Sequence, residues 1–262
     1  MKYCKDLKIV GVEYPSDGYV LLKLTDKEQL PAINAGQFVE IKVEGSPSTF
    51  LRRPISIHFV DVENNQMWLL IQLVGEGTRK LAQLHEGDSL NVLFPLGNGF
   101  TKGTEGEKVL LVGGGVGIAP LLDYGRQLKE CGACPTFLLG GRSSRNLLQL
   151  DEFKKYGEVF VTTEDGSMGD KGFVTNSSLL GETSQYVKNN DFRISCCGPK
   201  PMMMAVAKYA KQNEIPCEVS LENMMACGLG ACLCCVEKTV KGNVCVCKEG
   251  PVFNINELTW QI

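Results

Sequence analysis

The sequence predicts a multidomain β + α/β protein: an antiparallel barrel, then a doubly wound parallel sheet, then a small cysteine-rich segment. Three observations indicate this architecture. Short strands separated by turns fill the first hundred residues, strands then alternate with helices, and cysteines crowd the C-terminal end. A length of 262 residues suits two domains with an appendage. We predict boundaries at 1–101, 102–216 and 217–262.

The barrel is predicted from six short apolar stretches joined by turns, a pattern typical of antiparallel sheets. The predicted strands are Leu7–Val12, Tyr19–Thr25, Gln37–Val43, Ile55–Val60, Met67–Val74 and Ser89–Phe94. One helix is expected within this domain, at Thr78–Leu84, opened by a turn at Gly75–Gly77.

A polar stretch at Thr101–Lys108 indicates the linker to the second domain. The predicted strands beyond it are Val109–Val112, Thr136–Leu139, Val159–Thr162 and Phe192–Cys196. Helices are expected after the first of these strands, through about Glu130, and again at Pro201–Gln212. Because strands and helices alternate, we predict a parallel, doubly wound sheet.

Charge and hydropathy exclude two classes of partner. The net charge is -3 and no cluster of Lys and Arg occurs, so we expect neither nucleic acid nor an anionic membrane as a partner. The longest apolar run, Val109–Leu122, is broken by four glycines, which argues against a membrane span. The N-terminal residues lack the apolar core of a signal peptide, so a cytoplasmic location is expected.

The cysteines are the sharpest signal, since seven of the twelve fall between Cys217 and Cys247. In a reducing compartment, cysteines grouped in one segment more often bind metal than form disulfides. Cys227, Cys232 and Cys235 have the C-x4-C-x2-C spacing of plant-type [2Fe–2S] ferredoxins. A loop around a cluster must turn backbone amides toward its sulfurs. We therefore predict positive φ at Gly228 and Gly230.

Spacing leaves alternatives open. Cys234 competes with Cys235 for the third position, and Cys245 competes with Cys247 for the fourth. Four cysteines also suit structural zinc, although zinc sites usually pair two C-x2-C units and this segment has one. A hairpin predicted around Lys241–Asn243 would bring the fourth ligand back to the loop.

Glycine turns after buried strands indicate nucleotide sites. One runs from Gly113 to Pro120 and opens a helix, and another is Cys197-Gly198-Pro199. Two such turns at neighbouring carboxyl ends of one sheet form a crevice for a pyrophosphate. In the barrel, an Arg beside a hydroxyl residue (Arg53 and Ser56) and the Gly77-Thr78 pair before a helix are candidate phosphate contacts.

Together and in this order, these motifs resemble the ferredoxin reductase superfamily, in which a flavin-binding barrel precedes a nicotinamide-binding domain. The resemblance implies FAD contacts at Arg53, Pro54, Ile55, Ser56, Leu70, Ile71, Gln72, Gly77 and Thr78. It implies NAD contacts at Gly114, Gly115, Val116, Gly117, Cys197, Gly198 and Pro199, with Cys197 as a candidate for positioning the nicotinamide. Ile55 stands where many members carry an aromatic residue.

Within the superfamily, the chain is most similar to the electron-transfer subunits of NAD-dependent (class 1B) dihydroorotate dehydrogenases. Two stretches are the most specific: Met225–Cys232, and Cys247–Phe253 with its Glu-Gly-Pro-Val-Phe ending. In that family the last cluster ligand precedes such an ending, which favours Cys247. The implied metal ligands are Cys227, Cys232, Cys235 and Cys247.

The resemblance implies a division of labour in pyrimidine biosynthesis. An FMN-containing catalytic subunit would oxidise dihydroorotate, and electrons would cross a [2Fe–2S] cluster and FAD in this chain to reach NAD+. A heterotetramer with two copies of each chain is expected. Acidic residues after a buried strand, Glu164 and Asp165, favour NAD over NADP, whereas Arg142 and Arg145 weaken that preference.

Two alternatives remain at this point. One is the NAD(P)-linked flavin and iron–sulfur subunit of a soluble hydrogenase or a ferredoxin-dependent transhydrogenase. Those chains commonly carry Asp at the first cluster position, where this chain has Cys227. The other is a zinc-bearing scaffold that binds a nucleotide without redox chemistry.

Overall fold

The computed structural model describes residues 1–181, 184–188 and 191–262. Its first half is a curled, seven-stranded antiparallel sheet in the order β4-β3-β7-β1-β2-β6-β5. The elements are β1 (Tyr3–Glu13), β2 (Tyr19–Thr25), β3 (Phe38–Ile41), β4 (Arg53–Ser56), β5 (Phe59–Asp61), β6 (Gln66–Gln72), α1 (Glu76–Leu81) and β7 (Ser89–Leu96). Alternate side chains of these strands, such as Leu7 and Ile9, fill a barrel core.

Helix α1 begins at Glu76, two residues before the predicted start, and ends at Leu81 rather than Leu84. The reason is the side chain of Thr78, whose Oγ1 accepts hydrogen bonds from the backbone N–H groups of Val74 and Gly75, each at 3.1 Å. These bonds fold the chain into the first turn at Gly75.

The second half is a seven-stranded sheet in the order β11-β10-β9-β8-β12-β13-β16. Its elements are β8 (Lys108–Gly114), α2 (Ala119–Glu130), β9 (Cys134–Gly141), α3 (Leu150–Lys154), β10 (Glu158–Thr163), β11 (Asp170–Lys171), α4 (Gln185–Lys188), β12 (Arg193–Cys197), α5 (Lys200–Gln212) and β13 (Cys217–Ser220). All its pairs are parallel except β13 with β16. Strand order reverses at β8, which lies between β9 and β12, so the ligand crevice is expected there.

The cysteine-rich segment contains β14 (Val236–Thr239), β15 (Gly242–Cys245), α6 (Val246–Glu249) and β16 (Val252–Asn254). Strands β14 and β15 form the predicted hairpin. Strand β16 pairs antiparallel with β13, at the edge of the second sheet. The chain that contains the cluster loop therefore leaves the α/β sheet at the end of β13 and returns to it at β16, the neighbouring strand.

The sequence does not predict strand β13, because Glu218 lies within it and an acid at that position argues against a buried strand. Glu218 is only 8% exposed. Its Oε1 accepts hydrogen bonds from Ser195 Oγ at 2.7 Å and from Arg193 at 3.2 Å. Its other oxygen accepts one from Thr101 Oγ1 at 2.8 Å, which fastens the linker to the sheet. Partners distant in sequence thus satisfy the buried charge.

Helix α2 joins the two halves. His58 lies on the side of the barrel that faces α2, and its side chain is fully buried there. Its Nδ1 lies 2.8 Å from the carbonyl oxygen of Ala119. A carbonyl only accepts, so Nδ1 carries the proton of the neutral ring. Asp123 accepts a hydrogen bond from the N–H of Val60 at 3.3 Å. These bonds fix the barrel against the first helix of the second sheet.

Acidification should weaken this junction. Burial lowers the pKa of His58 to about 4, against roughly 6.5 in the unfolded chain. The unfolded state therefore binds the proton first as pH falls. The resulting loss of stability begins near pH 6.5 and reaches at most about 3 kcal/mol toward pH 4. Urea unfolding at several pH values should show a flatter pH dependence for His58→Asn, which keeps a donor near Ala119.

The exposed histidine provides the control, because His85→Asn removes a histidine without altering the junction between the barrel and helix α2. Identical profiles for the wild-type chain and His58→Asn would show that His58 does not contribute to the acid sensitivity.

Candidate functional site

The cysteine loop adopts the backbone conformation that the sequence predicts. Gly228 has φ 64° and Gly230 has φ 82°, so both predicted positive φ values are confirmed. Leu233 also lies in the left-handed region, with φ 59°. A side chain at Gly228 would meet Glu40 Cγ at 2.8 Å. Glycine is thus required there by both conformation and space.

These turns direct amides at three of the four predicted ligand sulfurs. The N–H of Leu229 points at Cys227 Sγ (3.4 Å), and the N–H of Gly230 points at Cys247 Sγ (3.1 Å). The N–H of Cys247 itself points at Cys235 Sγ (3.4 Å). Amide donors stabilise thiolate, the form that binds metal. The Leu229 amide is the main cause that lowers the pKa of Cys227 to about 6.

The sulfurs of the four cysteines are close enough to influence one another. Cys232 affects the pKa of Cys227, and burial, Cys235 and Cys227 all raise the pKa of Cys247. Across the described ranges, no three acid, cysteine or histidine side chains converge on the position of a single ion. Four cysteine thiolates can hold either a two-iron cluster or one tetrahedral zinc ion.

The competing cysteines occupy different surroundings. Cys234 is exposed, whereas Cys235 is buried beside the loop. Cys245 Sγ lies 3.7 Å from the carbonyl oxygen of Gly230, whereas Cys247 Sγ accepts from the amide of the same residue. The geometry therefore favours Cys235 and Cys247 as third and fourth ligands, and the ligand set remains a prediction.

The cluster loop is tied to the end of the barrel. The N–H of Asn98 donates to the carbonyl of Gly250 at 2.6 Å, and its side chain donates to the carbonyls of Lys248 and Glu249. A Cβ on Gly97 would lie 2.6 Å from Pro251 Cδ. The segment after Cys247 thus packs directly onto the chain leaving β7.

The predicted FAD residues lie along one side of the barrel. Arg53 and Gly77 are neighbours, because a Cβ on Gly77 would stand 3.4 Å from Arg53 Cδ. This brings a guanidinium beside the amides of the first turn of α1, including that of Thr78, and such a set suits a phosphate. Pro54, Ile55 and Ser56 are half-buried along edge strand β4.

Strand β6 supplies the other predicted FAD contacts. Leu70 and Ile71 are each 1% exposed, so their side chains belong to the protein cores. Strand β5 pairs only with Gln66–Trp68, which leaves one backbone edge of residues 70–72 without a neighbouring strand. Ile55 packs against the barrel core.

A cleft of about 740 Å³ opens at the carboxyl ends of β8 and β12. It brings together six of the predicted NAD residues, namely Gly114, Gly115, Val116, Gly117, Gly198 and Pro199. Tyr19 and Gln72 line it from the barrel side. The cleft therefore opens toward both the nucleotide turns and a predicted FAD residue.

The two glycine turns are in contact with each other. A Cβ on Gly117 would stand 2.5 Å from Gly198 Cα, and one on Gly114 would stand 2.5 Å from Met202 Sδ. Small residues at these positions let backbone approach backbone, which a pyrophosphate cradle requires.

The positions of the Cys197 and Glu222 side chains relative to the cleft differ from what the sequence indicates. The Cys197 side chain is completely buried and does not line the cleft, and burial raises its pKa. Its role in positioning the nicotinamide remains a prediction, through its backbone beside Gly117. Glu222 does line the cleft, and burial raises its pKa as well. Sequence reasoning missed Glu222 because strand β13, which places it at the same sheet edge, was not predicted.

One of the two acidic residues after β10 reaches the cleft. Glu164 lines it together with Arg142, whereas Asp165 accepts hydrogen bonds from Ser167 at the surface. Glu164→Gln should therefore raise the NADPH-to-NADH ratio of kcat/KM by roughly 5- to 10-fold, since about 1 kcal/mol of repulsion is removed. Asp165→Asn is the matched control and should leave the ratio unchanged. An unchanged ratio for Glu164→Gln would contradict the assignment.

Two family models match the chain. Residues 111–208 match an oxidoreductase NAD-binding domain, and residues 222–259 match the iron–sulfur cluster binding domain of dihydroorotate dehydrogenase B. The predictions of a nucleotide-binding and an iron–sulfur segment are thereby confirmed.

Curated relatives match over most of their length. An electron transfer subunit of dihydroorotate dehydrogenase B (NAD(+)) from Caldanaerobacter subterraneus is 42% identical over 229 residues, covering 85% of this chain and 86% of the relative. The subunit of the same name from Bacillus pumilus is 38% identical over 232 residues, covering 86% of each. The chain belongs to the family of dihydroorotate dehydrogenase B electron transfer subunits.

Solved structures agree with this family's fold. A chain of NADH-dependent reduced ferredoxin-NADP oxidoreductase superposes with a TM-score of 0.84 at 30% identity, covering 97% of this dihydroorotate dehydrogenase B family member and 90% of that chain. The ferredoxin reductase of carbazole 1,9a-dioxygenase matches with a TM-score of 0.69 at 21% identity, covering 82% and 67%. The predicted family, fold class and oxidoreductase assignment are confirmed.

Proposed function

We propose that this chain is the subunit that links an FMN-containing, dihydroorotate-oxidising partner to NAD+, holding FAD and a [2Fe–2S] cluster, in pyrimidine biosynthesis. The observation that carries the proposal is the junction of the cysteine loop with the flavin-motif side of the barrel. Gly228 contacts Glu40 of β3, whose ladder partner in β4 is Pro54. A cluster in this loop would thus lie against β3, the strand that pairs with the one carrying the flavin motif.

The residues present fit the proposed groups. Cys227, Cys232, Cys235 and Cys247 would hold the cluster, with three sulfurs already facing amides. Arg53 and the first turn of α1 would hold the FAD phosphates, and the open edge of β6 would meet the flavin. When bound, FAD exchanges one or two electrons and the cluster exchanges one, which connects a hydride carrier to a one-electron partner.

The chain's own residues have positioning tasks in this scheme. Gly114, Gly117 and Gly198 leave backbone room for the pyrophosphate of NAD at the start of α2. Tyr19 and Gln72 close the cleft from the barrel side, so the nicotinamide end would lie beside β6. Asn98 and Gly97 hold the cluster segment at a fixed place on the barrel.

The surface of the cysteine-rich segment suits a partner protein. Its exposed apolar side chains are Met224, Leu229, Leu233, Val236 and Val240. Five large apolar side chains exposed within seventeen consecutive residues favour a protein contact at this segment. We propose this segment as the contact for the catalytic subunit, in a heterotetramer with two copies of each chain. Within the described ranges, no helix is both long and apolar enough to cross a bilayer.

The decisive experiment uses the chain purified anaerobically and mixed with the FMN-containing dihydroorotate dehydrogenase subunit of its host. NAD+ reduction driven by dihydroorotate should require both chains. A yellow-brown chain that NADH reduces, but that shows no dihydroorotate-driven NAD+ reduction, would support the proposed cofactors and contradict the proposed partner.

A second candidate is a subunit of a ferredoxin-dependent transhydrogenase. It is favoured by the superposition on NADH-dependent reduced ferredoxin-NADP oxidoreductase at 30% identity. Ferredoxin-dependent reduction of nicotinamide nucleotide, without dihydroorotate activity, would support it. A colourless chain would instead support the zinc-bearing scaffold.

A further inference from the structure

Glu40 is a buried acid whose carboxyl group has no task in the scheme above. The residue is 0% exposed, and neither of its carboxyl oxygens has a hydrogen-bond partner among the described residues. Burying an acid without hydrogen bonds costs several kcal/mol, and an apolar residue of similar size would avoid that cost. A destabilising carboxyl at this place therefore calls for a functional explanation.

The position of Glu40 in β3 decides which way its side chain points. Its neighbours Val39 and Ile41 point into the barrel core. On the opposite face of the strand, Phe38 packs in the cluster of apolar residues that also contains Cys235 and Cys247. Because side chains alternate along a strand, Glu40 shares the face of Phe38. Its carboxyl group is thus directed out of the barrel and toward the cysteine-rich segment.

Two contacts place this carboxyl between the predicted cofactor sites. The Cβ position of Gly228 lies 2.8 Å from Glu40 Cγ and 3.5 Å from its Oε1. On the barrel side, Glu40 is the ladder partner of Pro54, within the flavin motif. Burial raises the pKa of Glu40 to about 7; the charges of Arg53 and Arg52 lower it, and Cys227 raises it. The carboxyl group is therefore charged at mildly alkaline pH.

We propose that Glu40 is a positioning residue that holds a buried negative charge against the backbone beside Cys227 and thereby lowers the reduction potential of the cluster. The inference rests on the proposed function, since it needs the cluster in this loop. Reduction adds an electron to the cluster, and a nearby negative charge disfavours that step. Water is excluded at the site, so the interaction is weakly screened.

The test is a potentiometric titration of the cofactor-loaded chain, followed by EPR of the reduced cluster, at a single, mildly alkaline pH. Glu40→Gln removes the charge and keeps the shape. It should raise the midpoint potential by an amount equal to at least a tenfold change in the one-electron equilibrium, or 59 mV, with unchanged g values. Glu44→Gln is the matched control, because Glu44 is an exposed acid close in sequence, and its potential should equal that of the wild type.

A second variant separates this role from a structural one. Glu40→Leu should raise the potential similarly, and should also raise the melting temperature of the loaded chain because the unpartnered carboxyl is gone. Wild-type potentials in both variants would overturn the inference, whatever their stability. A wild-type chain that contains flavin but no [2Fe–2S] EPR signal would overturn the proposed function and this inference together.

Discussion

Cys235→Ser should abolish the [2Fe–2S] visible and EPR signals, and should lower dihydroorotate-driven NAD+ reduction by roughly 100-fold or more. Even changes in the outer partners of a metal ligand cost 10–100-fold, and loss of a ligand costs more. Cys235 is buried and its sulfur accepts a hydrogen bond from the amide of Cys247, whereas its neighbour Cys234 is exposed. The variant should still be reduced by NADH, because the nucleotide cleft lies elsewhere.

Two neighbouring cysteines provide the controls. Cys234→Ser and Cys245→Ser should keep both the cluster signal and the two-subunit activity, since neither sulfur accepts a hydrogen bond from a backbone amide of the residues that the structure describes. A cluster that survives Cys235→Ser and is lost in Cys234→Ser would reassign the third ligand. Loss in Cys245→Ser with survival in Cys247→Ser would reassign the fourth.

Gly117→Ala should weaken NADH binding roughly 30-fold, with the flavin and the cluster retained. The new methyl group would meet the backbone at Gly198 within 2.5–2.7 Å, and backbone cannot turn aside as a side chain can. Overpacking of this kind costs typically about 2 kcal/mol. The two nucleotide turns would have to separate, which misplaces their amides. Fluorescence titration of the loaded chain with NADH gives the dissociation constant.

The matched control is Gly11→Ala in β1. A Cβ there meets only the flexible side chain of Lys23, at 3.0 Å, so NADH binding should stay at the wild-type value. Equal affinity in Gly117→Ala and wild type would mean that the pyrophosphate does not lie over this turn.

Local patterns explain what the sequence predicts well. Each of these patterns depends on only about ten neighbouring residues: the spacing of the cluster cysteines, a strand that ends in glycines, and a turn before a helix. For this reason the cysteine loop, with positive φ at Gly228 and Gly230, and the turn at Gly114–Gly117 are found where expected. The four cluster ligands and the FAD contacts stay predictions.

Features that depend on distant partners were missed. Glu218 is an acid in the middle of a strand, and hydrogen bonds from distant residues make its burial acceptable; the donors are Arg193, Ser195, Thr101 and Tyr124. With that strand unrecognised, Glu222 could not be placed at the cleft. Glu40 reads as the polar member of an alternating strand, which normally faces water. Only the packing of the cysteine-rich segment over β3 buries it.

The attachment of the last forty residues at two places has a consequence for engineering. This segment supplies β16, the edge strand of one sheet. It also accepts a hydrogen bond, at the carbonyl of Glu249, from Asn98 just after the last barrel strand. The segment therefore connects both halves of the chain and cannot be exchanged as an independent unit. A chimera that imports another iron–sulfur segment would have to carry matching residues at Gly97, Asn98 and Glu40. Redox modules of this architecture are therefore expected to be inherited as complete chains.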